Sequence, residues 1–160
     1  EGGEPREPTF QGAAARKLRE LELQRARDTF KNSQEGLRWY LTESEALFGK
    51  ITELSRAGPV GMNATPSHRM VGVQASGVSM SVVAEQRYQN SLDGCHVRCT
   101  CYDTSTGRPG ACPEAEPTLL FEPALERVGS PAWRGADRWF STAQLADYLL
   151  LRMLKHVKVR

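Results

Sequence analysis

No run of 18 consecutive apolar residues occurs anywhere in the chain, so no membrane-spanning helix is expected. An excess of one charge is also missing. Lys plus Arg numbers 21 against 19 for Asp plus Glu, a formal net charge of +2. That balance argues against a dedicated nucleic-acid binder, which carries a strong basic excess on its binding face. The first residues, Glu1-Gly2-Gly3-Glu4-Pro5, have neither a basic nor an apolar region, so no secretory signal is read there. An initiator Met is lacking too, as expected of a piece of a longer protein. Hydrophobic residues make up only 39%, which points to a long exposed helix or a disordered portion in part of the chain. Together these absences lead us to expect a soluble intracellular protein. Its 160 residues have room for one domain plus an extension, or for two very small domains.

Proline is absent between Ala13 and Ala57, and glycine occurs there only at Gly36 and Gly49. Ala, Leu, Arg, Glu and Gln dominate, all good helix formers. Gly58-Pro59 is a stop signal for that helix. Residues 1–12, rich in Gly, Pro and charge, read as a disordered leader. Within 13–57, alternating steps of three and four pick out Leu23, Ala26, Phe30, Ser33, Leu37, Tyr40, Ser44, Leu47, Ile51 and Leu54. Only the two serines in that series are polar. A mean spacing of 3.5 keeps one seam facing a partner over many turns, which is the coiled-coil condition. A straight helix over it is about 48 Å long at 1.5 Å per residue. That is too long for the core of a small domain to bury. The expectation is an N-terminal parallel dimeric coiled coil over 13–57, with Leu23, Ala26, Phe30, Leu37, Tyr40, Leu47, Ile51 and Leu54 at the dimer seam. The alternative is a long helix folded back on its own chain. Trp39 and Phe48 lie off the strict seam and suit packing against the following domain.

Residues 58–68 read as a turn-rich linker, and 69–160 as a globular α+β head. Met70–Ala75 and Val78–Ala84 alternate as two strands around a Ser76-Gly77 turn. Cys95, Val97, Cys99 and Cys101 then share the inward face of a third strand. Residues 104–117 read as a loop, and Thr118–Glu122 as a fourth strand ended by Pro123. Residues 124–139 show no regular pattern. Ser141-Thr142-Ala143-Gln144 is a capping box opening an apolar helix that runs to about Val157. A small antiparallel sheet covered by that helix is the expected architecture.

Three constellations bear on chemistry. Cys95, Cys99, Cys101, Cys112 and His96 lie close together, but the spacings x3, x1 and x10 fit no common zinc knuckle. Residues two apart on a strand are also spread too far for an easy tetrahedral site. Buried structural thiols are the preferred reading, with no metal or other cofactor. A zinc-binding interaction module or enzyme on the Cys95–Cys112 cluster is the alternative. His96 adjoins Cys95 in sequence but points to the opposite strand face, and no nucleophile elbow or phosphate loop occurs, so no catalytic residues are assigned. Lys155, His156, Lys158 and Arg160 at the end, and Arg16, Lys17, Arg19, Arg25 and Arg27 in the helix, allow weak DNA contact at most.

Several short stretches resemble the monopolin-type kinetochore cross-linker subunits, which join a coiled coil to an RWD-like head. Leu47-Phe48-Gly49-Lys50-Ile51-Thr52-Glu53-Leu54 is similar to that family's junction between rod and head. Val73-Gln74-Ala75-Ser76-Gly77 resembles its first hairpin, and Leu120-Phe121-Glu122-Pro123 the end of one strand. Trp139-Phe140 with Tyr148 resembles its closing element. The Cys-rich stretch from 95 to 112 departs from the pattern, as do residues 126–138. The resemblance implies a non-enzymatic homodimeric adaptor at kinetochores, in the nucleus, binding peptide segments of other kinetochore or chromosomal proteins. It implies a shallow apolar surface on the head, for which Phe48, Val78, Met80, Leu119 and Phe121 are the candidates.

Overall fold

A computed structural model describes residues 9–58, 60–104 and 118–158. The chain is α+β: two N-terminal helices, a seven-stranded antiparallel sheet and a C-terminal helix. Helix α1 is Phe10–Lys31 and α2 is Gln34–Ala57. Strands β1 (Asn63–Ser67), β2 (Met70–Ala75), β3 (Val78–Glu85) and β4 (His96–Asp103) come next. They are followed by β5 (Thr118–Arg127), β6 (Ser130–Gly135), β7 (Arg138–Phe140) and α3 (Thr142–Leu154). The strands lie side by side in chain order, each antiparallel to the next.

The helix expected over 13–57 is two helices. The break falls at Asn32-Ser33, and its causes are local. Asn32 turns its side chain back to donate to the Asp28 carbonyl at 2.9 Å. Ser33 leaves helical geometry at φ −108°, ψ 155° and caps α2 by accepting from the Gly36 amide at 3.0 Å. Gly36 permits the turn to be tight: a Cβ built there would sit 2.1 Å from the Phe30 carbonyl oxygen. The glycine that weakens a continuous helix is the contact point between two helices.

The apolar stripe of α2 is covered by the chain's own β1 and β2 and by α3. Tyr40, Leu47 and Ile51 have no exposed surface at all and join Val71, Val73, Val82, Val97 and Cys99 in one core. Phe30 is buried, and Ala26, Leu37 and Leu54 pack partly against the same cluster. This corrects the expectation of a dimer seam for its residues from Ala26 to Leu54, because a side chain spent on its own chain's core is not available to a second copy, while half-buried Leu23 stands outside that core. The long-helix objection fails for the same local reason: a helix broken at Ser33 lays α2 and only the end of α1 on the head. The linker reading of 58–68 is corrected as well, since Asn63–Ser67 is the edge strand β1, paired to β2 with Ala64 opposite Val73. Of the expected leader, residues 1–8 lie outside the described residues, while Thr9 caps α1 by accepting from Gly12 and Phe10 begins the helix. The expected loop lies outside the described residues from 105 to 117.

The head follows its pattern more closely. β3 alternates strictly, with Val78, Met80, Val82 and Ala84 inward. Pro123 does not end β5, which continues to Arg127. β4 pairs with β5 only as far as Phe121, so the missing proline amide falls where that ladder is already open. Beyond it Pro123 lies opposite Trp133 of β6. Trp133 is fully buried between Trp39 and Tyr40, at ring distances of 5.1 and 6.0 Å. Its indole N–H donates to Thr142 Oγ1 at 3.1 Å, and Thr142 donates to Glu43 at 2.6 Å. One chain of hydrogen bonds thus ties β6 to the start of α3 and to α2. The capping box at Ser141 and Gln144 forms as read from the sequence.

Gly36→Ala separates the two helix architectures by sign. In a continuous helix alanine stabilises by about 0.5–1 kcal/mol. Here the obstacle is backbone, which cannot swing aside, so a loss of about 1–3 kcal/mol is expected. Urea denaturation of the two proteins measures it.

Candidate binding groove

The partner-binding residues expected on the head are all interior. Phe48, Val78, Met80, Leu119 and Phe121 are 0–8% exposed, so they form the core and not a docking surface. Inward alternation and surface patches look alike in sequence, and here the helices supply the cover that turns the patch into core.

The cysteines of the cluster are interior too. Cys99 and Cys101 lie on the inward face of β4 with no exposed surface, and Cys95 is 3% exposed just before it. Cys112 lies outside the described residues. Among the described residues no group of three or more His, Cys, Asp or Glu side chains is placed to hold a metal. The Cys95 thiol donates to the Ser91 carbonyl at 3.3 Å, and burial pushes its pKa up. That is the opposite of nucleophile activation. His96 turns away from it: Nε2 sits 2.8 Å from Glu85, and Nδ1 is 3.1 Å from the Gly94 carbonyl. Arg98 meets the same carboxylate through Nε at 3.1 Å. Tyr40 reaches this end of the β3–β4 ladder from α2, its hydroxyl lying 2.9 Å from the Glu85 carbonyl and 2.8 Å from that of His96. Burial raises the Tyr40 pKa strongly, with the neighbouring Cys95 adding to it.

The prominent open feature is elsewhere. A groove of about 690 Å³ lies between α1 and the β6–β7 hairpin. Its floor is a single cross-strand row, Glu122 on β5, Arg134 on β6 and Trp139 on β7, each directly opposite the next. Arg27 of α1 forms the facing wall. Its Nε donates to the Leu125 carbonyl at 2.8 Å, and its guanidinium lies 5.6 Å from the Trp139 ring centre. Arg134 lies over the same ring at 5.7 Å. Arg138 also lines the groove, held 4.9 Å from the Phe140 ring and 5.4 Å from that of Tyr148. None of the three arginines is in an ion pair among the described residues, although Glu122 stands opposite Arg134. The hairpin turn that presents Arg138 and Trp139 is strained: Ala136 and Asp137 adopt φ of 50° and 57°, a region that alanine rarely enters. Positive φ without glycine is a local cost that clusters at functional sites.

Of these residues only Arg27 figures among the cations singled out from the sequence. Glu122 lies in the expected fourth strand, and Arg134 to Trp139 fall in 124–139, whose period is obscured because the turn at Ala136-Asp137 lacks the usual Asn-Gly or Asp-Gly signature. The readable signal was the alternation Ala132, Arg134 against Trp133 and Gly135, followed by Arg138-Trp139-Phe140. The chain matches no protein-family model, no curated protein and no solved structure.

The buried thiol and phenol set a pH dependence with a definite sign. Their ordinary pKa values are 9.0 and 10.0, and the folded groups hold their protons to higher pH. Unfolding then releases protons in alkaline solution, so the contribution to stability is complete below about pH 8 and declines as pH rises further. Urea midpoints between neutral and strongly alkaline pH are expected to fall, and to fall less steeply in Cys95→Ala and Tyr40→Phe. A midpoint rising with pH contradicts the assignment.

Proposed function

We propose that the protein is a non-enzymatic adaptor that pairs with a second copy through the outer half of α1, each copy presenting its head to a peptide segment of a partner protein. One observation carries this reading. From Phe10 to Glu22 every residue of α1 is exposed, including Phe10 at 86%, Leu18 at 55% and Leu21 at 44%. A helix of that length without tertiary contacts is marginal in water, so it needs a covering surface. A second copy suits it. Leu18 and Leu21, with Ala14 one turn earlier, occupy the a and d spacing of a two-stranded seam. Lys17 precedes that seam and Glu22 follows it, which in a parallel pair sets each lysine beside the partner's glutamate. The seam stops where Arg25 and Asp28 would be next in register, as Ala26 and Phe30 turn to the head. The pairing in this reading is therefore short and weak, in place of the long rod.

A binding role is favoured over catalysis by the state of the nucleophiles, with Cys95 buried and its pKa raised. The setting of the reading comes from the resemblance: the kinetochore of a dividing nucleus, with segments of kinetochore or chromosomal proteins as the bound partners. Two heads on one stem raise apparent affinity through effective concentration.

Sedimentation equilibrium over micromolar to millimolar loading tests the pairing. The expected result is a concentration-dependent dimer that Leu18→Glu with Leu21→Glu abolishes, while the thermal midpoint of the head stays unchanged. A monomer at every loading contradicts the proposal.

A further inference from the structure

We infer that the groove between α1 and the β6–β7 hairpin is a receptor for a single compact oxyanion on a peptide segment, a carboxylate or a phosphorylated side chain gripped by Arg134 and Arg27 over Trp139. It names the partner chemistry of the adaptor reading. Each copy carries a whole groove, so the site stands whether or not the chain pairs.

The geometry is that of a preorganised guanidinium site. Arg27 is anchored through Nε to the Leu125 carbonyl, which leaves its two terminal nitrogens for another acceptor. Arg134 forgoes the carboxylate directly across the ladder and lies over Trp139 instead. Stacking on an aromatic ring fixes a guanidinium without consuming its N–H donors. Two such forks, 5.6 and 5.7 Å from one ring centre, present charge-assisted donors to the same groove, and these contacts order their rotamers before the ligand arrives. Arg138 adds a third positive charge at the rim.

The acids in the groove decide the size of the ligand. Glu122 and Asp137 line it together with the three arginines, so its net charge is modest. One oxyanion sits among the guanidinium groups at little cost. A nucleic-acid strand lays successive phosphates along its path and would bring some of them against those carboxylates. Partly buried Trp139 and exposed Leu120 offer an apolar neighbour for the residue beside the anion, as a peptide supplies and an inorganic ion does not. The strained turn at Ala136-Asp137 holds Arg138 and Trp139 in place for this contact.

Fluorescence anisotropy with the full chain tests the inference. The probes are a labelled short peptide with one Glu beside a Leu, the same peptide with phosphoserine, its Gln analogue, and a single-stranded oligothymidine. The Glu or phosphoserine peptide is expected to bind in a salt-sensitive manner and the Gln analogue to bind far less. Whichever charged peptide binds more tightly identifies the source of the oxyanion. Arg134→Ala should weaken binding by roughly tenfold or more, and Arg134→Lys, which keeps charge but loses the fork, by several-fold. Glu122→Gln should strengthen it. The Leu18→Glu, Leu21→Glu protein should bind each peptide as the parent does, which separates failure of the groove from failure of pairing. Equal binding of the Gln analogue overturns the inference. So do indifference to Arg134→Ala in a chain with unchanged circular dichroism, absence of binding to both charged peptides, and tighter binding of the oligothymidine.

Discussion

An apolar helix face can be covered only once. The stripe Tyr40, Leu47 and Ile51 of α2 is wholly enclosed within the same chain, by the sheet and by α3, and the path of α1 follows from that choice. Covering it in cis requires the preceding helix to leave the line of α2, and the bare Cα of Gly36 against the Phe30 carbonyl lets it do so within two residues. Phe30 then comes back onto Trp39 at 6.3 Å, and Trp39 onto Trp133. The aromatic chain from α1 to β6 fixes where α1 crosses the hairpin. That crossing brings Arg27 to Trp139 and so creates the groove.

Much of this was legible in the sequence, and the failures have separate causes. The alternation of β2 and β3 and the capping box of α3 depend on neighbours close in the chain, and the structure has them as read, whereas in β4 Thr100 is buried along with the inward Cys99 and Cys101. The spacing of the stripe was real as well: seven residues of that seam do turn inward. What spacing could not say is whose surface they meet, since a 3.5-residue seam and an amphipathic stripe differ little over a few turns. The break at Asn32-Ser33 was written in Ser33-Gln34-Glu35-Gly36, a cap followed by glycine, but good helix formers on both sides outweighed it. Pro123 reads as a strand end because its harmlessness depends on where β4 stops pairing, a long-range fact. β6 and β7 were missed because Ala136-Asp137 makes a tight turn without glycine.

The division of α1 is the bridge between fold and function. Its inner third, around Ala26 and Phe30, belongs to the head, while Phe10–Glu22 touches none of it closely enough to be covered. Arg27 stands at the boundary, anchored to the head by the Leu125 carbonyl and presented to the groove. Pairing of the outer segments would hold two grooves at the end of one short stem. A site for one oxyanion, if doubled in this way, would become selective for partners that carry two such segments or are themselves paired.

The enclosure of the α2 stripe within one chain is tested most directly by Ile51→Ala in the Leu18→Glu, Leu21→Glu background, by urea denaturation at widely different protein concentrations. Ile51 sits in the core, so the account predicts a loss of about 2–4 kcal/mol that is the same at every concentration. A midpoint that climbs with concentration, or an alanine that leaves stability unchanged, would mean that the stripe meets another molecule and not its own chain.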